Sequence, residues 1–387
     1  MDVIVQKCVK HLKVEQVAVV LLHESDEAQP FHTMIRSVDS GYDVLPYRLD
    51  DQITGWMLKH QKPLLINDFT KDDRFSGVDK QRIPIRSMLS VPLRLKGRMI
   101  GLLNVFNKRM EEGFSSDDQR LLSIIASQSA QAIENARLHE EEQALLRMKE
   151  EMRFAYEIQM KLMPKEPPQV PGYEIAGRSI PAMEVGGDYF DFIPVDEHQL
   201  GFCLADISGK GMPAALLMAN LQATLRGQIF LDADAHECVQ RSNTLLYRST
   251  DSNKFATLFY GLLNTENHEL SYCNAGHDPP LLLRSDMQLQ RLGPGGLMLG
   301  FMEDFSYFKD VVSLSPGDLL VLFSDGITEA MNADEEEFEE ERLINVMKEN
   351  RDDRPEVLID KIIETVQSFA GDEPQMDDMT IIVIKRV

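Results

Sequence analysis

The sequence predicts an α+β protein with two domains, each a β-sheet with flanking helices, joined by a long helix. A chain of 387 residues exceeds the usual size of one domain. Short apolar runs typical of strands recur on both sides of residues 124–163, whose pattern is helical almost without a break. Prolines from Pro164 to Pro171 end that pattern and indicate a boundary. We expect a first domain over 1–136, a helical linker over 137–165 and a second domain over 170–387.

The first domain alternates strand-like segments and loops. A short helix leads into a strand over Val17–Leu22, and the residues Lys96-Gly97-Arg98 predict a hairpin between two long strands. Ser115 or Ser116 caps the helix that follows. The other expected elements are a strand over Phe31–Val38, a helix near Ile53–Lys59, and strands over Pro63–Ile66, Ser87–Leu95 and Met99–Phe106.

Three features of this part resemble a GAF domain. They are Ile53-Thr54-Gly55-Trp56 before a helix, the Ser-x-x-x-Val-Pro-Leu strand from Ser87, and the Gly101-Leu102-Leu103-Asn104-Val105 strand entering the long helix. The resemblance implies an antiparallel sheet with flanking helices and a small ligand held over that sheet. The chain begins in or near the first helix, so we expect the domain to be slightly shortened.

A second pattern bears on that ligand. Asn107-Lys108, Phe114 and Asp118 partly match the motif of GAF domains that bind cyclic nucleotides, although Gln119 replaces the final Glu. A turn followed by a helix cap explains the same residues, because short motifs often match by chance. The ligand stays unassigned, and no Cys or His pair is placed for a bilin or a haem.

The helical linker carries an imperfect heptad pattern. Leu138, Leu145, Met152 and Gln159 are spaced seven apart, with Glu141, Met148, Ala155 and Leu162 interleaved. A helix with one apolar stripe and charges elsewhere favours burial against a copy of itself, so we expect a parallel coiled-coil homodimer. The alternative is a single helix packed on its own second domain, since such short seams also occur on ordinary amphipathic helices.

The second domain shows many strands and a few long helices, which predicts two sheets with flanking helices. The expected strands cover Tyr173–Ser179, Phe190–Val195, Leu200–Leu204, Ala256–Leu263, Glu269–Asn274, Leu281–Arg284, Leu319–Ser324 and Thr380–Lys385. The expected helices cover 213–230, 234–250, 338–350 and 355–369.

Four aspartates lie at the ends of these apolar strands. Asp206 follows Leu200–Leu204 and precedes a glycine loop and a helix, Asp325 follows Leu319–Phe323, Asp188 precedes a strand, and Asp378 precedes the last one. Each alone could be a turn residue. Together they indicate a convergent site, and oxygen-only, carboxylate-rich sites suit Mg²⁺ or Mn²⁺.

The motifs around these aspartates appear in a defined order. They are Gly-Gly-Asp-Tyr-Phe-Asp with Asp188, Asp-Ile-Ser-Gly-Lys-Gly-Met-Pro-Ala-Ala from Asp206, Asn274-Ala275-Gly276-His277, Phe-Ser-Asp-Gly-Ile-Thr-Glu with Asp325, and Asp-Asp-Met-Thr with Asp378. Over about residues 170–387 the sequence closely resembles the PPM (PP2C-like) serine/threonine phosphatases of the bacterial SpoIIE/RsbU branch. The resemblance implies an α-β-β-α fold and two divalent ions, Mn²⁺ or Mg²⁺.

The resemblance also implies a role for each acid. Asp206 would bridge the two ions, Asp325 and Asp378 would complete one site, and Asp188 with the main-chain carbonyl of Ile207 would complete the other. Asp206 and Asp188 are therefore the expected catalytic residues. Two such ions lower the pKa of a bridging water and stabilise the attacking and leaving oxygens. Asp191, Asp278 and Asp377 are expected to lie around these ligands rather than to bind the ions themselves.

One departure concerns the general acid. The eukaryotic relatives carry a His shortly after the bridging Asp, where this chain has Ser208 and Gly209. His277 either shapes the turn in Asn-Ala-Gly-His-Asp-Pro-Pro or acts as an acid, and no residue is assigned that role.

Composition limits the remaining functions. A net charge of −23 argues against a nucleic-acid partner and against adhesion to anionic membranes. The scattered residues Cys8, Cys203, Cys238 and Cys273 predict buried, reduced thiols in a cytoplasmic protein, and no segment reads as a membrane span.

The expected function is that of a GAF-regulated phosphatase. The resemblance implies that its phosphorylated protein substrate is a STAS-type anti-sigma factor antagonist in a partner-switching pathway. The alternatives are a non-catalytic signalling scaffold and a small-molecule phosphoesterase.

Overall fold

The structure is a computed structural model that describes residues 2–22, 31–37, 55–75, 85–229, 234–250, 254–293 and 295–387. Its contacts divide the chain into two compact units, Met1–Leu146 and Arg147–Val387. The predicted helix start at Ile53 and Thr54 and the end of the predicted strand at Val38 lie outside the described residues.

In the described part of the first unit, the strands form an antiparallel sheet with the order β2-β1-β5-β4-β3. Its strands are β1 (Val14–Leu22), β2 (Phe31–Ser37), β3 (Leu64–Ile66), β4 (Met88–Leu95) and β5 (Arg98–Lys108). Its helices are α1 (Asp2–Leu12), α2 (residues 55–60) and the start of α3 (Ser116–Leu162), with 3₁₀ turns at Phe69–Lys71 and Asp73–Phe75. The predicted antiparallel sheet with flanking helices is confirmed.

The β4–β5 hairpin forms where the sequence predicts it. Lys96 and Gly97 connect the strands with φ angles of 49° and 84°, and such positive values suit the twist of a tight hairpin. On one face of the sheet, apolar residues of α1 and α3 such as Leu12 and Leu122 join the core. On the other face, Met57 of α2 packs with Phe69.

Lys108 and Asp118, which belong to the partial cyclic-nucleotide motif, bind each other. Lys108 Nζ lies 2.7 Å from Asp118 Oδ1, and both side chains are largely buried. The ammonium also lies 5.8 Å from the ring centre of Phe114. These contacts hold the end of β5 against the start of α3, which supports the explanation of the motif as a turn and a helix cap.

The second unit contains two five-stranded sheets among the described residues. The first has the order β13-β10-β9-β8-β7 and the second the order β12-β11-β14-β15-β6. The strands are β6 (Tyr173–Ile180), β7 (Tyr189–Pro194), β8 (Gln199–Ile207), β9 (Ala256–Asn264), β10 (Glu269–Ala275), β11 (Leu281–Leu283), β12 (Leu289–Arg291), β13 (Asp310–Ser313), β14 (Leu319–Phe323) and β15 (Met379–Arg386).

Helices cover the outer faces of both sheets and complete the expected α-β-β-α layers. They are α4 (Met212–Ile229), α5 (Ala235–Ser249), α6 (Asp325–Thr328), α7 (Glu339–Glu349) and α8 (Pro355–Ala370). One core joins α4, α5 and the facing sides of both sheets, for example Phe202 with Leu322. A second core lies between α7, α8 and the outer side of the β14–β15 sheet, for example Ile362 with Val383.

Strand pairing brings the four predicted aspartates to one end of the sheets. β7 pairs with β8 so that Tyr189 faces Ala205, which places Asp188 beside Asp206. β14 pairs with β15 so that Phe323 faces Ile381, which places the end of one strand beside the start of the other. Because antiparallel neighbours run in opposite directions, the end of one strand lies beside the start of the other. These two pairs therefore form two sides of one site.

Two further findings concern composition. All four cysteines are buried free thiols. In the described part of the chain, no helix is long and apolar enough to cross a membrane.

Candidate active site

Asp206 lies at the centre of the site, near the end of β8 and before the loop that leads into α4. The following loop contains Gly209 and Gly211 with φ angles of 97° and 70°, a conformation that glycine adopts at low cost. Ser208 fixes the loop to the start of β9, because its amide donates to the Phe255 carbonyl and the Phe255 amide donates to its Oγ. The carboxylate of Asp206 is thus carried by a strand end rather than by a free loop.

Asp188 is buried beside Asp206, with 1 % of its surface exposed. Burial raises the pKa of its carboxyl well above the ordinary value, and the negative charge of Asp206 raises it further. Its Oδ2 atom has no hydrogen-bond partner. A buried carboxylate oxygen without a donor is costly, so this atom is suited to binding a cation.

The carboxyls of Asp206 and Asp325 also have raised pKa values. Burial and then the charge of Asp325 raise the pKa of Asp206 to about 7, and Asp377 and Asp378 add to this. Burial and then the charge of Asp377 raise the pKa of Asp325 to about 6. These carboxylates repel one another, which raises their pKa values. Bound cations would therefore stabilise their charged forms.

Asp378 holds the loop that carries Asp188. Its Oδ1 accepts a hydrogen bond of 2.8 Å from the amide of Ala182, and its Oδ2 accepts bonds of 2.6 and 3.2 Å from the amides of Gly187 and Asp188. A Cβ atom on Gly186 would lie 2.3 Å from this Oδ2, so only glycine fits there. Both oxygens of Asp378 therefore have protein donors.

Asp377 and Asp378 both line a small cavity at Asp206. The Oδ2 atom of Asp377 lies 2.9 Å from Lys210 Nζ, and the charge of Asp377 raises the pKa of both Asp206 and Asp325. The doublet therefore supplies one carboxylate to Lys210 and one to the amides of Gly187 and Asp188.

The remaining predicted site residues have defined surroundings. The carbonyl oxygen of Ile207 faces Gly187, where a Cβ atom would lie 3.0 Å from it. Asp191 is fully buried and accepts bonds from the guanidinium of Arg226 and the hydroxyl of Tyr189, so it belongs to the core rather than to the site. For Asp278, burial and then the charge of Glu340 raise the pKa.

His277 shapes a turn. Its amide donates a 2.8 Å bond to Asn274 Oδ1, and its Nδ1 lies 2.9 Å from Thr257 Oγ1. Burial lowers the pKa of its ring to about 4, so the ring is a neutral imidazole at pH 7. A general acid at this pH would need the charged imidazolium form.

The end of α3 contacts the same loop as Asp378. The side chain of Gln159 is buried, its Nε2 donates a 2.6 Å bond to the Gly186 carbonyl, and the Gly186 amide donates a 3.1 Å bond to its Oε1. The α4 residue Gln222 also donates a 3.4 Å bond to the Leu162 carbonyl. The linker helix is thus bonded directly to the loop that carries Asp188 and to the helix that follows Asp206.

The donor set fits divalent cations. Among the described residues, no three Asp, Glu, His or Cys side chains already surround a common point that could hold an ion. The site nevertheless contains a buried unpaired oxygen on Asp188, carboxyls with raised pKa values at Asp206 and Asp325, and only oxygen donors. Hard cations prefer such oxygens and would supply the missing positive charge.

Comparison with known proteins agrees with the two units. Residues 1–134 match the GAF domain family, and residues 196–387 match the family described as Stage II sporulation protein E (SpoIIE). The second match begins after Asp188.

Two curated relatives are phosphoserine phosphatases of Bacillus subtilis (strain 168). RsbU is 29 % identical over 240 residues, which cover 62 % of this chain and 71 % of RsbU. RsbP is 23 % identical over 206 residues, which cover 52 % of this chain and 49 % of RsbP. The chain therefore spans about half the length of RsbP and about seven tenths of RsbU.

A solved structure supports the same assignment. The RsbU and RsbW domains of Rv1364c from Mycobacterium tuberculosis superpose with a TM-score of 0.51 at 27 % identity, covering 57 % of this chain and 62 % of that one. The chain contains a GAF domain followed by a SpoIIE-type serine/threonine phosphatase domain of the PPM (PP2C-like) class.

Proposed function

We propose that this protein is a metal-dependent phosphatase that removes phosphate from a phosphoserine or phosphothreonine of a partner protein, under the control of its GAF domain. The observation that carries the proposal is the acid centre, by which we mean Asp188, Asp206, Asp325 and Asp377. Their side chains gather at one end of two sheets, and their mutual repulsion calls for cations.

The acid centre contains the residues that would hold two ions, Mn²⁺ or Mg²⁺. Asp206 lies between the others and is the candidate to bridge them, with Asp188 and the Ile207 carbonyl on one side and Asp325 on the other. Asp378 stays a candidate from the sequence, and Asp377 is a second candidate, because its charge raises the pKa of both Asp206 and Asp325. When bound, such ions supply a water with a lowered pKa and stabilise charge on phosphate oxygens.

The chain's own residues position the substrate and the ligands. Asp378 and Gln159 fix the Gly186–Asp188 segment from two sides. Lys210 neutralises part of the charge of Asp377 and also donates a hydrogen bond to the Met376 carbonyl. Because that lysine is nearly half exposed at the edge of the centre, it also presents positive charge to an arriving phosphate.

We also propose the substrate class and the location. RsbU and RsbP are phosphoserine phosphatases, and their similarity to this chain supports a phosphoserine protein as the substrate. A STAS-type anti-sigma factor antagonist is the substrate that the resemblance of the sequence motifs implies. The four free thiols suit a reducing, cytoplasmic location. The GAF domain would respond to a small ligand of its own.

Phosphate release from a phosphoserine peptide and from p-nitrophenyl phosphate tests the proposed function. We expect turnover with Mn²⁺ or Mg²⁺ and none with an excess of chelator, because the acid centre alone is all negative. Turnover of the small ester without the peptide would favour a small-molecule phosphoesterase. A chain that binds Mn²⁺ yet releases no phosphate from either compound, or from a phosphorylated STAS protein, would instead be a scaffold.

We further propose that α3 pairs two copies of the chain. Leu138, Leu145 and Met148 are exposed to 51, 61 and 60 % and lie on the predicted seam. Apolar side chains at this spacing are buried when two such helices pair. Gln159 belongs to the same predicted seam but is bound to Gly186, so the pairing would end before it.

Sedimentation velocity of the full chain at micromolar concentration tests this pairing. We expect a dimer for the wild type and a monomer for Leu145→Glu, because the new carboxylate would be buried in the seam. Gln143→Glu adds the same charge on an exposed position off the seam, and it should stay dimeric. A monomeric wild type would contradict the proposal, as would a dimeric Leu145→Glu variant.

A further inference from the structure

A cavity of about 340 Å³ adjoins the acid centre and is not used by the proposed chemistry. Lys210 and Asp377 form the wall that it shares with the acid centre. The remaining walls come from the segment after α6, from the end of α8 and from the residues before β15. This volume lies at the lower end of the range of ligand pockets.

The floor and sides of the cavity are apolar. Val366 and Met379 are buried beneath it, and Ala370 lies at its side. Met331 and Met376 flank it with 42 and 63 % of their surface exposed. Methionine is flexible and adapts to apolar partners of different shape, so these two side chains suit a surface that receives another apolar group.

The rim of the cavity is acidic. Glu329 and Glu373 line it, and in the described part of the chain neither carboxylate has a lysine or arginine within ion-pair distance. Lys210 is already bonded to Asp377 and to the Met376 carbonyl. The rim therefore repels an acidic group or a second phosphate. A neutral apolar group is the occupant that complements this cavity.

We propose that this cavity is a specificity subsite that binds a bulky apolar side chain, such as leucine, lying close in sequence to the phosphoserine of the protein substrate. The inference rests on the proposed function and deepens it. The cavity shares Asp377 with the acid centre, and an extended chain advances about 3.3–3.6 Å per residue. A residue within three positions of the phosphoserine can therefore enter the cavity while the phosphate lies at the acid centre.

The test compares phosphoserine peptides that carry one leucine at each of the three positions on either side of the phosphoserine, in an alanine background. For the wild type we expect one leucine position to raise kcat/KM about tenfold, mainly through a lower KM, because leucine buries more apolar surface in the cavity than alanine does. Tenfold corresponds to about 1.4 kcal/mol. Turnover of p-nitrophenyl phosphate measures the acid centre alone.

Two variants change the cavity without touching the acid centre. Ala370→Phe fills it, and Met331→Glu places a charge on its exposed flank, so each should abolish the leucine preference. Neither should change turnover of p-nitrophenyl phosphate. Ser368→Phe adds the same bulk on the exposed side of α8 and should keep the preference.

Three outcomes would overturn the subsite. The first is a wild type that hydrolyses every peptide equally, and the second is a preference that survives in both cavity variants. The third is a wild type with no metal-dependent turnover of p-nitrophenyl phosphate or peptides, which removes the proposed function itself. The small ester thus separates failure of the subsite from failure of the acid centre.

Discussion

Replacing Asp206 by asparagine is expected to lower metal-dependent phosphate release by on the order of 10³-fold or more, which corresponds to about 4 kcal/mol of transition-state stabilisation. Asparagine keeps the shape of the side chain and removes its charge. Asp206 interacts with all the other acids of the site, as the electrostatic effects of Asp325, Asp377 and Asp378 on its pKa show.

The stability of the same variant separates chemistry from folding. Without metal, Asp206→Asn should melt at the same temperature as the wild type or higher, because it removes one of several repelling carboxylates. With Mn²⁺ only the wild type should gain stability, since ligands stabilise the folded state to which they bind. Asp304→Asn, an exposed acid of the same unit, is the matched control and should behave as the wild type. Full turnover in Asp206→Asn would contradict the assignment.

Replacing Gln159 by leucine is expected to lower phosphate release at least tenfold and to raise the Mn²⁺ concentration needed for half-maximal activity. Leucine fills similar space but leaves the Gly186 amide and carbonyl without their partners. An unpaired buried group costs about 1–3 kcal/mol. The loop would then hold Asp188 less firmly, and a small misplacement of a catalytic group has a large effect on rate.

The metal dependence distinguishes positioning from general destabilisation. Excess Mn²⁺ should restore part of the activity of Gln159→Leu, because binding of the ion favours the ordered loop. Gln143→Leu makes the same change on an exposed position of α3 and should leave both activity and Mn²⁺ dependence unaltered. Activity of Gln159→Leu within twofold of the wild type at low Mn²⁺ would show that the contact is structural only.

These contacts also suggest how the GAF domain could control the phosphatase. Two hydrogen bonds lie at the end of α3, from Gln159 to Gly186 and from Gln222 of α4 to Leu162. A change in α3 would therefore reach the Asp188 loop directly, as well as the helix after Asp206.

The sequence was sufficient for the elements with strong local signals. The hairpin at Lys96 and Gly97, the four long helices of the second unit and the gathering of Asp188, Asp206 and Asp325 follow from apolar runs, turn residues and strand ends. Two edge strands, Leu289–Arg291 and Asp310–Ser313, were missed, because both are short and mostly exposed and so lack the apolar pattern of a buried strand.

The sequence could not give the partners of individual side chains. Asp378 binds the amides of Ala182, Gly187 and Asp188, which lie far away in the sequence, and no local pattern encodes such contacts. Gln159 looked like a weak position of a heptad seam, and its partner Gly186 lies 27 residues away. Long-range pairing of this kind is visible only once the fold is known.

The most direct test of the central claim is the binding of Mn²⁺ to the full chain, measured by calorimetry with the wild type and Asp206→Asn. We predict two ions per chain for the wild type and, for the variant, loss of at least one of them together with loss of phosphate release. Wild-type protein that binds no Mn²⁺ or Mg²⁺, or Asp206→Asn that binds both ions as tightly as the wild type, would contradict the account.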